Sequence, residues 1–428
     1  MNAKRVTGRR PPAANHPFSR LAFMLQARAG APRIGTAGFL LYFIFPTIMS
    51  SRILSRAVLL AGATLAFFSA GCSKTQNANE IVIGEVASLS GGTAAWGKAQ
   101  NEGVKMAVEE INAAGGLLGK QVRLITEDDQ SKNGEAGTVT KKLVSREKVV
   151  GVIGEISSSK SLEMAPICQK EGIPMISPGS TNTKVTEVGD FIFRVCFIDP
   201  FQGTVMAKFA LSKGWKNMAV LTDVKEDYSV GLSQFFKEYY GKNGGTVAVE
   251  QSFGKGDKDF KAQLTAIKAA NVDAIFLPGY YTEIGLIAKQ ARELGITIPM
   301  CGGDGWDDAS LVQVAGAAVD GCYFSNHFST EDKSEAIQAF VKKYEAAKGS
   351  QPSTFVALGY DAAMLLFHGI KTAGTTDGKA VRDVLAKTVD FPAITGKITL
   401  DEKRNATKAA VILSIQNGQV KYVETVQP

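Results

Sequence analysis

The sequence predicts an α/β fold of two successive lobes, each a parallel sheet covered by helices. Three observations carry this expectation. From Glu80 onward, short β-rich runs alternate with helical patterns, the order that lays strands side by side with a helix in each crossover. The pattern restarts after Asp199-Pro200, and two units of more than about 100 residues each make two lobes rather than one sheet. The 428 residues are 45% hydrophobic and 21% charged, the composition of a folded chain.

In the first unit, Ile81–Ala87, Val122–Glu127, Val149–Gly154 and Pro174–Ser177 read as strands. Between the first two, Val104, Ala107, Val108 and Ile111 fall on one face of a helix over Gly97–Ala114, and Gly115-Gly116 stops it. In the second unit the strands are Met218–Thr222, Thr246–Phe253, Ala274–Leu277, Pro299–Cys301 and Cys322–Ser325, with helices over Phe260–Ala270 and Ile284–Leu294. Helical stretches follow at Ser334–Lys348, Thr354–Ala373 and Lys379–Val389, then strand-like Ile398–Leu400 and Ala409–Gln416. Pattern alone lets these late pieces return to either lobe.

The N-terminus reads as processing. From Met49, basic Arg52 and Arg56 precede an apolar run, Ala57–Ala70, and small residues before Cys72, the order of a secretory signal and too short for a membrane span. Cys72 after Ala70-Gly71, with a polar linker beyond, resembles the lipobox of bacterial lipoproteins, although Ser69 departs from its usual aliphatic residue. Residues 1–72 are therefore expected to be leader and signal, with Met49 the true start and Cys72 the lipidation site. An extended signal or an uncleaved anchor is the alternative.

The formal charge of +7 sits in that leader. Nine of the 48 Lys and Arg lie in residues 1–72, which hold no Asp or Glu, leaving 39 basic against 41 acidic residues beyond. A balance of about −2 excludes a nucleic-acid-binding surface built on bulk charge. Cys168, Cys196, Cys301 and Cys322 have no zinc-like spacing; they could form up to two disulfides or stay buried thiols. No metal or cofactor is expected.

Ligands of open parallel sheets bind at the carboxyl ends of the strands, so the loops after strands are where chemistry belongs. The first unit offers Ser88–Gly97, Glu155–Lys160 and Pro178–Asn182, rich in small hydroxyls. Ser158 and Ser159 stand at the start of a helix over Ser161–Lys170, where hydroxyls and free N–H groups hold an anion or simply cap the helix. The second unit offers Asp223–Tyr228, Pro278–Glu283 and Gly302–Asp308, with acids and aromatic rings. Donors on one side and acids on the other suit a zwitterion, whose two charges both need partners when buried.

Together, Ile81–Gly97 with its Leu89-Ser90-Gly91 turn, the helix end Glu110–Gly116, Glu127-Asp128-Asp129, Gly154–Ser159, Ile173–Thr181 and Gly302–Trp306 resemble the periplasmic leucine/isoleucine/valine-type binding proteins of ABC transporters. The likeness runs from about Glu80 to near the C-terminus. It implies a type I periplasmic-binding fold, two Rossmann-like lobes joined by a multi-crossover hinge, with 80–198 plus 328–411 in lobe 1 and 199–327 plus 412–428 in lobe 2. It further implies a small amino acid ligand and permease subunits in the membrane as partner; a monomer suits a protein that must engage a transporter and release its cargo. Carried over by motif, Ser158 and Ser159, the backbone around Gly179 and Ser180, and the Thr181 hydroxyl would hold the carboxylate and part of the ammonium. Asp304 would face the ammonium where the family has a glutamate, and Trp96, Tyr228, Tyr280 and Tyr360 would form aromatic walls. The family's first-lobe disulfide has no counterpart, its positions falling near Ser131 and Ser157.

Competing readings are weaker. Gly92–Lys98 matches seven positions of a phosphate-binding loop, but Ala99 removes the magnesium-binding hydroxyl. His327 and His368 read as packing or surface residues, with no nucleophile elbow to make a catalytic pair. A ligand sensor of the same fold, signalling through a membrane partner, is the alternative to transport.

Overall fold

The computed structural model describes residues 79–428; the Met49 start, the signal and Cys72 lie outside the described residues. Five parallel strands form the first sheet: β1 (Glu80–Ala87), β2 (Gln121–Asp128), β3 (Val152–Ile153), β4 (Met175–Ser177) and β5 (Ile192–Arg194), in the order β2-β1-β3-β4-β5. Helices α1 (Ala94–Ala113), α2 (Glu135–Ser145), α3 (Ser158–Glu171) and the single turn α4 (Lys184–Glu187) fill the crossovers. Buried Ile81, Ile83, Val152, Ile153 and Ile176 give these strands their continuous apolar character, as expected of a parallel sheet covered on both faces.

The second sheet repeats the first. Its parallel strands β6 (Asn217–Asp223), β7 (Thr246–Phe253), β8 (Ala274–Phe276), β9 (Met300–Gly302) and β10 (Tyr323–Asn326) take the order β7-β6-β8-β9-β10. Helices α5 (Asp199–Ser212), α6 (Asp227–Lys242), α7 (Lys261–Ala269), α8 (Tyr281–Glu293) and α9 (Ala309–Ala315) accompany them. In each sheet the order reverses beside its first strand, and a crevice opens where the loops on either side of such a switch point diverge.

After β10 come α10 (Glu335–Lys348), α11 (Thr354–Ala373) and α12 (Gly378–Leu385), then a small sheet of β11 (Phe391–Ala393), β12 (Gly396–Leu400) and β13 (Ala406–Thr407). The position of these late pieces, open from pattern, is set by α11, which lies against α1, β3 and β4. The approach is close enough that a Cβ on Gly103 of α1 would meet the Val356 carbonyl of α11 at 2.0 Å. The chain then pairs antiparallel with β10 as β14 (Ala410–Gln416), and β15 (Gln419–Val426) closes a hairpin. Asn417-Gly418, both at positive φ, makes the two-residue turn whose twist suits a hairpin. Three connections thus join the sheets: β5 to α5, β10 to α10, and β13 to β14.

Helix α3 begins at Ser158, three residues before the expected start, and β3 is shorter than its apolar run. Gly154 ends β3 at φ +120°, with its Cβ position 2.1 Å from the Val86 carbonyl of β1. Only glycine allows that approach. It draws the loop after β3 against the loop after β1. Cys168, Cys196, Cys301 and Cys322 are buried free thiols.

Candidate ligand-binding site

Both loops at the first switch point rest on a buried charge network. Lys160, in the first turn of α3, places Nζ 3.1 Å from Asp129 Oδ1 and 3.9 Å from Glu155 Oε1, and also donates to Ser88 Oγ. Glu155 accepts from Ser88 N at 3.2 Å, Ser88 Oγ at 3.1 Å and Ser157 N at 2.6 Å. Burial pushes the Glu155 carboxyl above the usual carboxylate range against the pull of Lys160, while Asp129 adds to the push. Burial alone would lower Lys160, but Glu155 and Asp129 outweigh it and hold its pKa above the ordinary value. A charge trio out of water persists only when every member is bonded, and that condition fixes the loops.

The loop 178–182 is held from below by Arg194 of β5, fully buried. Its guanidinium donates to the Ser180 carbonyl, to the Asn182 carbonyl at 2.9 Å and to Thr186 Oγ1 at 3.1 Å. Asn182 N donates to Ser158 Oγ at 3.2 Å, which brings Thr181 beside the start of α3. No side chain caps α3, so the N–H groups of its first turn keep their free, positive end toward this loop.

Across from it, Tyr228 follows β6 in the first turn of α6, Tyr280 precedes α8, and Asp304 opens a 3-10 turn after β9. Asp304 is 3% exposed. Its Oδ1 accepts from Gln202 Nε2 at 2.8 Å, and its Oδ2 lies 3.1 Å from His327 Nε2. Among the described residues no lysine or arginine pairs with it. Close by, Asp199 is pushed up to about 8 by burial, lowered by the Thr181 hydroxyl and raised by Asp304. The geometry still leaves Thr181 Oγ1, both Asp199 oxygens, Gln202 Oε1 and His327 Nδ1 buried without a hydrogen-bond partner. Unpaired polar atoms are rare in folded interiors, and here four residues with such atoms gather near one cleft.

The two sides meet around a small, nearly closed crevice. Trp96, Ile156, Gly179 and Phe355 bound it from the first side; Tyr228, Tyr280, Asp304 and Gly305 bound it from the second. Trp96 stands edge-on to Tyr280 at 4.8 Å and to Tyr281 at 5.0 Å, and 5.1 Å from Phe355. Its Nε1 donates to the Asp307 carbonyl at 3.1 Å, and Tyr280 Oη donates to Ser157 Oγ at 3.2 Å. The Gly92 carbonyl accepts from Thr282 Oγ1 at 2.9 Å while Lys98 is exposed, so the phosphate-loop-like stretch serves as wall and lobe contact.

Of the ten expected site residues, Trp96, Gly179, Tyr228, Tyr280 and Asp304 line the cavity. Ser158 and Thr181 lie behind its wall, next to each other through Asn182. Three expectations need correction. Ser159 Oγ accepts from Asp227 N at 2.9 Å and donates to Asp227 Oδ2 at 3.2 Å, capping α6 across the cleft. Ser180 Oγ is 2.9 Å from the Glu155 carbonyl and 2.8 Å from Ser161 Oγ, tying two loops of the first side together. Tyr360 donates to Glu110 Oε2 at 3.1 Å and packs on Phe340; it lies five residues, about 7.5 Å, further along α11 than Phe355, and Phe355 holds the wall. The helix start itself was the available signal. His327, expected to be packing or surface, is buried against Asp304, and Arg194 and Gln202 carried no sequence signal.

A profile of the family described as "Periplasmic binding protein" matches residues 80–419. The chain belongs to that family. A leucine-, isoleucine-, valine-, threonine- and alanine-binding protein of Pseudomonas aeruginosa is 33% identical over 351 residues, covering 81% of this chain and 91% of that protein. The leucine binding protein LivK of Thermotoga maritima is 39% identical with a TM-score of 0.79, over 81% of this chain and 99% of that one. LivJ of Streptococcus pneumoniae, solved with isoleucine, is 38% identical with a TM-score of 0.78, over 82% and 100%. In this periplasmic binding protein the fold is the type I arrangement, two switch-point sheets with three connections.

Replacing Lys160 by Met strands Glu155 and Asp129 in the interior. Lys160→Met should cost about 3–5 kcal/mol of stability, read by urea unfolding at pH 7.5; a loss below about 1 kcal/mol would show that the trio does not support the loops.

Proposed function

We propose that this periplasmic binding protein captures a small amino acid, of the branched-chain aliphatic class, between its lobes and delivers it to the permease of an ABC importer. One observation carries the reading: Asp304 is a buried carboxylate held by side-chain hydrogen bonds without a lysine or arginine, lining an aromatic cavity whose opposite wall, at Ile156 and Gly179, adjoins the uncapped start of α3. An α-ammonium completes the first and an α-carboxylate the second, each charge being paired as burial requires.

In this reading Ser158, the backbone at Gly179 and the Thr181 hydroxyl take the carboxylate and part of the ammonium. Asp304 takes the rest of the ammonium, and Trp96, Tyr228, Tyr280 and Phe355 enclose the side chain. The lobes are 80–198 with 328–411 and 199–327 with 412–428, closing about the three connections. The names of the relatives, which bind leucine, isoleucine and valine, support the aliphatic class. The protein works as an exported monomer without a cofactor, tethered to the membrane through Cys72.

Calorimetry against the common amino acids should give micromolar or tighter binding of leucine, isoleucine or valine, and Asp304→Ala should weaken it by about 2–5 kcal/mol. No heat from any amino acid would remove the assignment, and an unchanged affinity would take Asp304 out of the site. Palmitate labelling of cells should mark the wild-type protein and not Cys72→Ser; equal labelling of both, or of neither, would contradict the tether.

A further inference from the structure

His327 has a place in the site that neither sequence nor family likeness assigned. It begins the second connection, immediately after β10, and is 3% exposed. Its ring stacks on Phe197 of the first connection, centroids 3.6 Å apart and planes 25° apart. Nε2 lies 3.1 Å from Asp304 Oδ2, while Nδ1 is buried without a partner. An ionised carboxylate only accepts, so the proton of the neutral ring is on Nε2 and Nδ1 is bare.

We propose that His327 is the positioning residue of the ammonium subsite: its neutral Nε2–H holds Asp304 toward the ligand, and a proton added at Nδ1 pairs the ring with Asp304 in competition with the ammonium. The inference rests on Asp304 meeting a ligand ammonium, as read above. Gln202 secures the other carboxylate oxygen, and the Tyr228 hydroxyl, pushed well above its ordinary value by burial and by Asp304, stays neutral, so His327 is the neighbour whose charge can change between neutral and acid pH.

The surrounding groups leave that role to His327. Asp304 faces it from the 3-10 turn and Lys408 from the third connection. On the first connection and its flanks stand Arg194, Cys196 and Asp199. Burial pushes the Cys196 thiol up to about 12 and Asp199 up to about 8, so near neutral pH neither supplies an anion to a protonated ring. Lys408, lowered to about 8 by burial, still carries most or all of its positive charge from pH 7.5 downward and opposes protonation of the ring. Burial lowers His327 below its ordinary value and Asp304 opposes the drop; the ring is neutral near pH 7 and charges as the solution acidifies. A bound ammonium cancels the Asp304 charge that favours His327⁺, so ligand and proton exclude each other. The affinity therefore falls toward acid by up to about tenfold per pH unit.

The test compares wild type, His327→Gln and His327→Leu by calorimetry from pH 7.5 to pH 5, with leucine as probe or the tightest binder of the amino-acid panel if that is another. Gln keeps a donor near Nε2 and does not titrate. The wild type should lose affinity toward pH 5, His327→Gln should bind nearly as well at pH 7.5 with a flattened profile, and His327→Leu should be weaker at pH 7.5 by about tenfold or more, one lost bond to a charged group. In the folded wild type, the His327 imidazole should titrate at lower pH with ligand than without, by NMR. Equal profiles for wild type and His327→Gln, or an imidazole midpoint that ligand does not move, would overturn the assignment while leaving the binding reading intact; a wild type that binds no amino acid would remove both.

Discussion

A carboxylate withdrawn from water without a lysine or arginine beside it is the constraint around which the cleft is organised. Asp304 meets Gln202 and His327 through hydrogen bonds, and such bonds return only part of the hydration that a buried carboxylate gives up. The remainder is available to a cation that arrives from solution. On the facing side, α3 leaves its first-turn N–H groups uncapped because the Ser157 hydroxyl reaches Glu226 instead, at 3.4 Å. Each side is incomplete in the opposite sense, the physical basis of the proposed preference for a zwitterion over a neutral or singly charged molecule.

Such incompleteness is tolerable only on a stiff scaffold. Lys160, Glu155, Asp129 and Ser88 bind the loops of the first switch point into one unit, and Arg194 does the same for the loop carrying Gly179 and Thr181. These buried charges find their ion-pair and hydrogen-bond partners chiefly within their own side, whereas Asp304 belongs to the facing side of the cleft. The three connections bring Phe197, His327 and Lys408 near one another, beside Asp304.

Much of this was legible in the sequence, for identifiable reasons. Alternating strands and helices announced both sheets because their strands are buried on two faces and their helices on one; Thr354–Ala373 matches α11 from end to end. Trp96, Tyr228, Tyr280 and Asp304, which line the cavity, could be singled out as candidates because they lie in or beside loops at strand ends, where a parallel sheet gathers its ligand contacts. The short strand β5 was not found, since three residues ending in a buried arginine carry little pattern. Neither was β15, an exposed edge whose Asn417-Gly418 turn was its clearest signal. Ser159 and Ser180 were misread because a hydroxyl near a helix start bonds equally well to neighbouring backbone. Gln202, Asp304 and His327 converge from separate elements spread over more than 120 residues of chain, and no local spacing encodes that meeting.

The most direct measurement is a crystal structure of the protein grown with leucine. The account predicts the leucine carboxylate within hydrogen-bond distance of the α3 N-terminus and Thr181, its ammonium on Asp304, and its side chain among Trp96, Tyr228, Tyr280 and Phe355. A leucine bound in the reverse orientation, or elsewhere than between these loops, would contradict it.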